Sequence, residues 1–381
     1  MRRLPPAIFA LALAAGSGCS DTQEFATAPA GQLGGGEPPR TDAPTALPSP
    51  DHPPVPAVVV LATDQGLAPE YPDAQGPYAI VTDEVWVYWM DAWSHLARVP
   101  KVGGKVEALA DTEGAPPQLV LSGDYLYFTN VPRRRIERIR KSGGAIEAVT
   151  PASTDQWRDV QHFVIDGSSA RPRVTWIDAK RLLRCETIPC TTSTEISLST
   201  GLQPSALTTL GEHIFVPYLV EDPQYPNQYK PGGITVPREG GQVSIMPLAY
   251  TAVLADLEPK DAQLTAVYAA SDHLIVRANW PGLEAPRVLV SGNDAEYYPY
   301  AMQLAGSYVY WLNRGTSNSA ARTVSAGAIM RVKKDGTDKP EKVHQADDSL
   351  HGLAVGKDAL FITTNGGRVL KVPRPADGAL H

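Results

Sequence analysis

The sequence predicts an all-β fold built from repeated four-stranded units, and three observations support this prediction. Short apolar runs broken by Gly, Asp, Asn and Pro fill the chain from Ala57 onward, with no long stretch of helical period. One strand-like segment recurs along this region, and similar strands surround each copy. Hydrophobic residues make up 43% of the 381 residues and charged residues 20%, a balance typical of a soluble protein with a core.

The recurring strand is identified by its aromatic residues and by a closing Asp or Asn in six of its seven copies. Each copy follows an apolar run with a tight turn, such as YAIVTDE, and precedes a third strand such as HLARVPKVGG and a fourth such as KVEALA. The copies recur at irregular intervals of 34 to 61 residues, centred on what a four-stranded propeller blade needs. The copies end at Asp91, Asn130, Asp178, Tyr218, Asn279, Asn313 and Asn365.

The seventh copy has no fourth strand of its own, because the chain ends soon after KVPRP. Residues 57–62, AVVVLA, resemble the fourth strands and precede the first strand of the first unit. Pairing this segment with the last unit removes two unpaired sheet edges. The sequence therefore predicts a seven-bladed β-propeller with four-stranded blades over residues 57–374, followed by a tail at 375–381.

The segments YWMD, YFTN, TWID and YWLN resemble the YWTD repeats of low-density-lipoprotein-receptor class B propellers. The resemblance implies a similar propeller. Those receptor domains have six blades where seven copies occur here, so it implies no shared ligand.

The N-terminus has the pattern of a secretory signal at residues 1–18: two arginines, an apolar stretch and then small residues. Gly16, Ser17 and Gly18 before Cys19 resemble the lipobox of bacterial lipoproteins, which implies that Cys19 is the lipid anchor. Gly16 departs from the usual leucine, and ordinary cleavage that discards Cys19 is the alternative. Ser20, next to the anchor, resembles the sorting signal of lipoproteins that are sent to the outer membrane. We therefore expect a location in the cell envelope at the outer membrane, on its periplasmic or its surface side.

Residues 19–56 are rich in proline and glycine and have no hydrophobic period. Such a segment buries too little apolar area to fold, so we expect a disordered tether. Lipobox, tether and propeller together resemble bacterial surface lipoproteins.

Two cysteines remain after Cys19, and both lie in the segment RLLRCETIPC. Their short spacing suits a disulfide between Cys185 and Cys190 in an oxidising compartment. A metal site would need more ligands at suitable spacing, and a catalytic thiol would need a positioned base; neither is visible.

Several functional classes lack support in the sequence. The formal charge of −7 argues against a nucleic-acid partner, which needs a basic face. There is no nucleophile elbow, phosphate-binding glycine loop or His-x-x-x-His pair, so no catalytic residue is predicted. His162 and His351 open inner strands, where they either face the central channel or pack as structural residues.

The motif VYWMD at residues 87–91 has two interpretations. It is either an aromatic ligand pocket or part of the repeated frame. Both faces of the strand are apolar, which favours Tyr88 and Trp89 packing between blades and Asp91 closing its own turn.

The connections between blades carry acidic residues that would surround one mouth of the channel. Converging carboxylates hold Ca²⁺ or a cationic ligand, whereas separate ones are ordinary solvated loops. The metal candidates are Glu113, Asp261, Asp294, Glu296, Asp347 and Asp348.

Aromatic residues on the same face form the predicted ligand surface. A long loop from Tyr218 to Gly233 carries Tyr225 and Tyr229, and Trp93, Tyr297 and Tyr298 join it. Exposed aromatics with polar neighbours suit glycan or peptide binding. A loop packed on itself is the alternative.

The sequence thus favours a monomeric, lipid-anchored extracytoplasmic propeller. We expect a non-enzymatic binding or scaffold module for a protein or polysaccharide, without a cofactor. The alternative is a metal-dependent propeller hydrolase or lactonase that uses Ca²⁺ at the acidic mouth.

Overall fold

The computed structural model describes 19 ranges of the chain, all within the compact unit Val55–His381. They are residues 57–65, 79–91, 93–113, 118–153, 162–168, 171–178, 181–198, 203–204, 206–210, 212–221, 229–247, 254–258, 265–271, 274–280, 284–291, 299–313, 317–318, 323–324 and 326–377. The predicted signal peptide, Cys19 and the tether lie outside the described residues. Nowhere in these ranges is a helix long and hydrophobic enough to span a membrane.

The first half of the chain contains strand β1 and three four-stranded sheets. The single strand β1 is Val59–Ala62. The first sheet contains β2 (Ala79–Thr82), β3 (Trp86–Met90), β4 (His95–Pro100) and β5 (Glu107–Asp111). The second contains β6 (Leu119–Ser122), β7 (Tyr125–Asn130), β8 (Arg135–Arg140) and β9 (Glu147–Ala148). The third contains β10 (Phe163–Ser168), β11 (Arg171–Asp178), β12 (Arg181–Cys185) and β13 (Thr194–Ile196).

The second half contributes four more sheets and a short ribbon. The fourth sheet contains β14 (Gln203–Pro204), β15 (Thr208–Leu210), β16 (His213–Glu221), β17 (Tyr229–Pro237) and β18 (Ser244–Pro247). The fifth contains β19 (Leu254–Glu258), β20 (Thr265–Ser271), β21 (Leu274–Trp280) and β22 (Glu284–Ser291). The sixth contains β23 (Pro299–Ala305), β24 (Tyr308–Asn313), β27 (Ala328–Lys333) and β28 (Glu341–Gln345), with the ribbon β25 (Ser317–Asn318) and β26 (Thr323–Val324) inserted. The last contains β29 (Leu350–Val355), β30 (Ala359–Thr364) and β31 (Val369–Pro373) together with β1.

The predicted all-β propeller with four-stranded blades is confirmed, but the predicted number of such blades is wrong. Among the described residues six sheets have four strands, not seven, and the fourth sheet has five. Its innermost strand is split, because β14 and β15 both pair with β16. Pro204 pairs with Tyr218 and Thr208 with Phe215, so one extra residue interrupts the strand, as in a β-bulge.

The strand predicted at residues 57–62 pairs with the end of the chain. Strand β1 lies antiparallel to β31, with Val59 opposite Lys371 and Val60 opposite Leu370. The last sheet therefore combines strands from both ends of the described chain, which leaves it no missing outer strand.

The fifth sheet corrects the alignment of the repeats. The segment ending at Asn279 was assigned to a second strand, yet β21 is the third strand of its sheet, in the order β19-β20-β21-β22. Residues 254–258, which precede the predicted acidic candidate Asp261, form the innermost strand β19. The error arose because β20 and β21 are both apolar and similar in length, so the pattern alone does not distinguish them.

The predicted long loop from Tyr218 to Gly233 is also wrong. Strands β16 and β17 are nine residues each and remain paired as far as Glu221 opposite Tyr229. Gly232 allows this pairing, because a side chain there would overlap the ring of Tyr218 on the opposite strand. The segment is therefore mainly a two-stranded extension, and only residues 222–228 lie between its strands.

Hydrophobic clusters join neighbouring sheets. Trp89 is 1% exposed and packs in a cluster that contains Phe361 of the last sheet, while Tyr88, also 1% exposed, packs with Leu126 and Phe128 of the second sheet. The prediction that both rings of VYWMD pack between blades is confirmed. Full burial of such rings contributes a few kcal/mol each to folding, so the motif belongs to the core.

Basic side chains at one register of the third strands bind the next sheet. In each sheet this residue lies opposite the equivalent residue of the second strand. Its side chain donates a hydrogen bond to a main-chain carbonyl of the neighbouring sheet or, for Arg331, to the carbonyl of Pro375 just after β31. The bonds are Arg98–Lys141, Arg184–Pro237, Arg277–Lys334, Arg331–Pro375 and Lys371–Lys101, with N···O distances of 2.7, 3.4, 3.2, 3.5 and 3.1 Å. We call them the cation bridges. The place of Arg277 in this series agrees with β21 being a third strand.

Glutamine side chains make a similar connection between innermost strands. Gln118 donates to the carbonyl of Phe163 and accepts from its N–H, both at 3.0 Å. Gln303 does the same with Leu353 and Val355 at 2.7 and 2.9 Å. The side-chain amide pairs with the free backbone N–H and C=O groups at the edge of the neighbouring innermost strand. These bonds therefore hold together two pairs of adjacent sheets beside the channel.

Candidate functional site

The molecule has two faces that differ in their loops. The connection face carries the turns between second and third strands, such as residues 91–95, together with the connections between sheets. The hairpin face carries the turns between first and second strands, such as residues 83–86, and between third and fourth strands, such as residues 100–104. The described residues of the predicted site, which are Trp93, Glu113, Tyr229, Asp347 and Asp348, belong to the connection face.

Asp91 closes its own turn on the connection face, as predicted. Its Oδ1 accepts the backbone N–H groups of Trp93 and His95 at 2.8 and 2.9 Å, and its Oδ2 lies 2.8 Å from Nδ1 of His95. Asp91 is 3% exposed. A buried carboxylate that accepts several donors is a structural group, so this motif is a turn and not an acid beside a pocket.

The closing residues of two other repeats are also hydrogen-bonded to protein groups. Asn130 donates to Glu137 at 2.8 Å and accepts the N–H of Arg133 at 3.0 Å. Asp178 accepts the hydroxyl of Ser153 at 2.5 Å and the guanidinium of Arg181 at 2.7 Å. Their polar atoms stabilise the turns and are already occupied.

The described members of the predicted acidic group are each bound to other residues. Glu113 pairs with Arg133 through two bonds of 2.8 and 3.0 Å. Asp347 pairs with Arg368, and both oxygens of Asp348 accept backbone N–H groups, from Ser349 and Gly366. The Arg133 guanidinium lowers the pKa of Glu113, and the Arg368 guanidinium lowers that of Asp347.

The remaining acidic candidates, Asp261, Asp294 and Glu296, lie outside the described residues. Within the described ranges no three His, Cys, Asp or Glu side chains are grouped to hold a metal ion. A Ca²⁺ ion at Glu113, Asp347 or Asp348 would compete with the bonds just given for the carboxylate oxygens. The metal site stays a prediction.

Only part of the predicted aromatic surface is described. Trp93 is 42% exposed, at the turn that Asp91 holds. Tyr229 lies on β17, opposite Glu221. Tyr225, Tyr297 and Tyr298 lie outside the described residues.

The two histidines singled out in the sequence open strands of different sheets. His351 is 2% exposed, and its Nε2 lies 3.2 Å from Oδ1 of Asn365. Burial lowers the pKa of His162, whose backbone carbonyl accepts the N–H of Ile177. Both positions belong to packed inner strands, and the structure does not bring the two side chains together.

Cys185 and Cys190 form a disulfide, as predicted, with an Sγ–Sγ distance of 2.07 Å. Cys185 ends β12, and the loop to Cys190 packs against Val149 of the second sheet, whose carbonyl accepts the Cys190 N–H at 2.8 Å. The bond thus fixes a loop at the junction of the second and third sheets.

The hairpin face contains a cleft that the sequence did not reveal. It has a volume of 480 Å³ and lies between the first two sheets. Asp83 stands at its floor, where Oδ1 accepts the N–H groups of Val85 and Trp86 at 2.9 and 2.8 Å. Oδ2 accepts the hydroxyl of Tyr88 at 3.0 Å and lies 3.3 Å from Nζ of Lys141 in the second sheet.

The electrostatics of the floor keep Asp83 ionised and Tyr88 protonated. Burial raises the pKa of Asp83, but the N–H groups of Trp86 and Val85, with Tyr88 and Lys141, outweigh it and the pKa is lowered. Burial and the bond to Asp83 raise the pKa of Tyr88. Tyr88 is therefore a hydrogen-bond donor at neutral pH, fixed toward the carboxylate.

Trp86 and Arg98 complete the floor of the cleft. The guanidinium carbon of Arg98 lies 4.0 Å from the centroid of the Trp86 ring, a cation–π contact. Arg98 also donates twice to Glu107, at 2.8 and 2.7 Å, and once to the Lys141 carbonyl. A signal for this site existed in the sequence, because HLARVP, RIERIR and AIMRVK carry arginine at one common position.

No protein-family model and no curated protein sequence matches the chain. Several solved structures do. Virginiamycin B lyase from Staphylococcus aureus matches with a TM-score of 0.60 and 16% identity, over 84% of this chain and 99% of that one. The WD40 domain of Neurospora crassa Pan2 matches with a TM-score of 0.54 and 10% identity, over 84% and 96%.

A nidogen/laminin complex matches more weakly, with a TM-score of 0.40 and 13% identity over 54% of this chain and 76% of that one. That value carries no argument about ancestry or ligand. At such identities the first two structures support the propeller fold alone.

Proposed function

We propose that the chain is a lipid-anchored, extracytoplasmic β-propeller that binds a protein or polysaccharide without transforming it. The observation that carries the proposal is Trp93, an exposed indole on the connection face at a turn fixed by the buried Asp91. A large aromatic side chain on a rigid turn provides contact area at low entropic cost, as binding anchors do.

The surrounding polar groups favour binding over catalysis. The oxygens of Asp91 accept bonds within its turn, those of Asp178 accept from Ser153 and Arg181, and Glu137, fully buried, lies 2.6 Å from Arg135. A general acid or base needs a proton that it can exchange with substrate, and these carboxylates are committed to fixed donors. Such a face is suited to shape and hydrogen-bond recognition.

The proposed compartment has two supports. The residues before Cys19 resemble a lipobox, and the disulfide between Cys185 and Cys190 suits an oxidising environment. A Cys19→Ala variant should move from the membrane fraction to the soluble fraction when cells are fractionated. Membrane retention of that variant would contradict the anchor.

Binding is tested by co-sedimentation of the full chain with insoluble peptidoglycan, chitin and cellulose, and by crosslinking to purified envelope proteins. Retention by one of these should fall strongly in a variant that combines Trp93→Ala, Tyr225→Ala, Tyr229→Ala and Tyr297→Ala. Val102→Ala is the matched control, because Val102 is 90% exposed but lies on the hairpin face. A wild type that no probe retains, or retention that survives the combined variant, would refute the proposal.

A further inference from the structure

The cleft between the first and second sheets has a fixed floor. Every polar oxygen of Asp83 has a donor, and all three of the guanidinium nitrogens of Arg98 donate to Glu107 or to the Lys141 carbonyl. These bonds come from both sheets, so the cleft keeps its shape as long as the junction holds. A preformed cavity spares a ligand the cost of ordering the protein.

The rim, in contrast, has polar groups that are not used by the protein. Glu84, Asp124, Arg140 and Ser142 line the cleft and are exposed. Within the described ranges none of these four side chains forms a hydrogen bond or ion pair; the Arg140 guanidinium lies 5.2 Å from the ring of Tyr125. Two carboxylates, a guanidinium and a hydroxyl are thus available to a ligand.

A matching junction elsewhere carries different side chains at some of the same positions. Asp166 occupies the place of Asp83 at the junction of the third and fourth sheets, where Oδ1 lies 3.1 Å from Arg173 and Oδ2 lies 3.6 Å from Arg238. Glu239 stands there at the turn position of Ser142 and binds Arg173 at 2.9 Å. At that junction the larger Glu239 is paired with Arg173. At the junction of the first and second sheets the smaller Ser142 takes the place of Glu239 and leaves space.

The free groups of the rim indicate the class of ligand. The rim carries both negative and positive groups. A ligand with a net charge of either sign would therefore be repelled by some of them, so an uncharged ligand is favoured. Adjacent hydroxyl groups can donate to Glu84 and Asp124 and accept from Arg140. Trp86 and Val85, the latter 57% exposed, add apolar surface against which the C–H face of a sugar ring packs.

We propose that this cleft is a binding site for a short uncharged oligosaccharide, separate from the connection face. Its volume of 480 Å³ lies within the range of about 300–1,000 Å³ of small-ligand pockets. The inference rests on the proposed function only in taking the chain as a binding protein. It adds a second surface and a ligand class.

The test is calorimetric titration of the full chain with three probes: cellotriose, chitotriose and mannotriose at millimolar concentration. At least one should bind the wild type. Glu84→Gln combined with Asp124→Asn, which preserves side-chain shape, and Arg140→Ala should each weaken binding about tenfold or more, since each removes a charged hydrogen-bond partner. Circular dichroism melting checks that each variant is folded.

Two controls remove a charge in the same way at exposed positions on the hairpin face of other sheets. Glu212→Gln in the fourth sheet and Lys357→Ala in the last sheet should leave the affinity unchanged, because both residues are exposed and lie outside the cleft. No heat of binding with all three probes would overturn the inference. So would binding that the rim variants leave intact, or selective binding of a lysine-rich peptide instead.

The results also separate this site from the proposed function. A chain that is retained on a polymer through Trp93 but binds none of the trisaccharides refutes the cleft alone. Trisaccharide binding that is lost in Arg140→Ala and kept in Trp93→Ala supports the cleft whatever the connection face does.

Discussion

The two faces of the propeller use charged residues in different ways. On the connection face Asp91 and Asn130 bind groups of their own sheet, so each turn is stabilised locally. On the hairpin face Asp83 and Arg98 bind Lys141 of the next sheet. In this comparison Asp91 and Asn130 set the shape of individual loops, whereas Asp83 and Arg98 hold two neighbouring sheets together at a cleft.

The largest effect should come from a cation bridge. Arg331 is 1% exposed, binds Glu341 at 2.6 Å, stacks 4.1 Å from the Tyr308 ring centroid and reaches the Pro375 carbonyl. Arg331→Ala should lower the free energy of unfolding by about 2–4 kcal/mol, because packing and charged hydrogen bonds are lost together. Denaturant titration measures this. Arg140→Ala, exposed on another third strand, should change it by less than about 0.5 kcal/mol; equal losses would mean that the bridges do not stabilise the junctions.

A pair of aspartate variants should separate the two faces. Asp83→Ala and Asp91→Ala each remove an acceptor of two backbone N–H groups, so each should cost about 1–2 kcal/mol. Hydrogen exchange distinguishes them. Asp83→Ala should increase exchange in its own turn and around Lys141, whereas Asp91→Ala should affect residues 93–95 alone. Faster exchange around Lys141 in both variants would contradict the division between local and bridging roles.

The faces should also lose stability in different ranges of pH. Burial lowers the pKa of His162, which opens a strand at the connection face, so its contribution is present above 6.5 and is lost as the pH falls from 6.5 through its lower folded pKa. The pKa of Asp83 is lowered from 3.8, so its contribution is lost only below that value.

Thermal melting against pH measures both contributions. His162→Asn should flatten the fall in melting temperature that begins at pH 6.5. Asp83→Asn should flatten the fall in melting temperature below pH 3.8. His344, whose pKa burial also lowers, is present in both proteins and cancels from the comparison. A wild type and a His162→Asn variant with parallel profiles would show that this buried ring does not titrate with unfolding.

The smallest effect should come from the exposed acids of the connection face. Glu113→Gln removes an ion pair with Arg133 that solvent screens, so we expect no measurable change in melting temperature. On the binding proposal, Ca²⁺ in place of a chelator should leave the melting temperature unchanged as well. A rise with Ca²⁺ that is lost in Glu113→Gln or Asp347→Asn would instead support the metal-dependent alternative by mass action.

The sequence predicted the features that repeat and missed those that depend on neighbouring sheets. Tyr88, Trp89 and Asp91 were assigned correctly because period-two alternation and turn chemistry are local properties. The disulfide was predictable for the same reason. The split strand near Pro204 and the true place of β21 were missed, since one extra residue or two similar apolar runs leave the pattern almost unchanged.

The cleft was missed because its parts lie far apart in the chain. Asp83 and Lys141 come from different repeats, and their contact follows from the packing of two sheets. Arginine at a common position of the third strands was visible in the sequence, but its acceptors are main-chain carbonyls, which no side-chain pattern records. Site residues on the connection face were easier to propose and, in the described part, are mainly structural.

The pairing of β1 with β31 has a consequence for synthesis in the cell. Val59 leaves the ribosome among the first residues of the folded unit and Lys371 among the last, and the two stand opposite each other in one sheet. The early sheets can form while translation continues, but the first strand stays without its partner until β31 emerges. Completion of this last sheet therefore requires that translation has passed β31, and a product terminated before β31 keeps an open edge that favours aggregation or degradation.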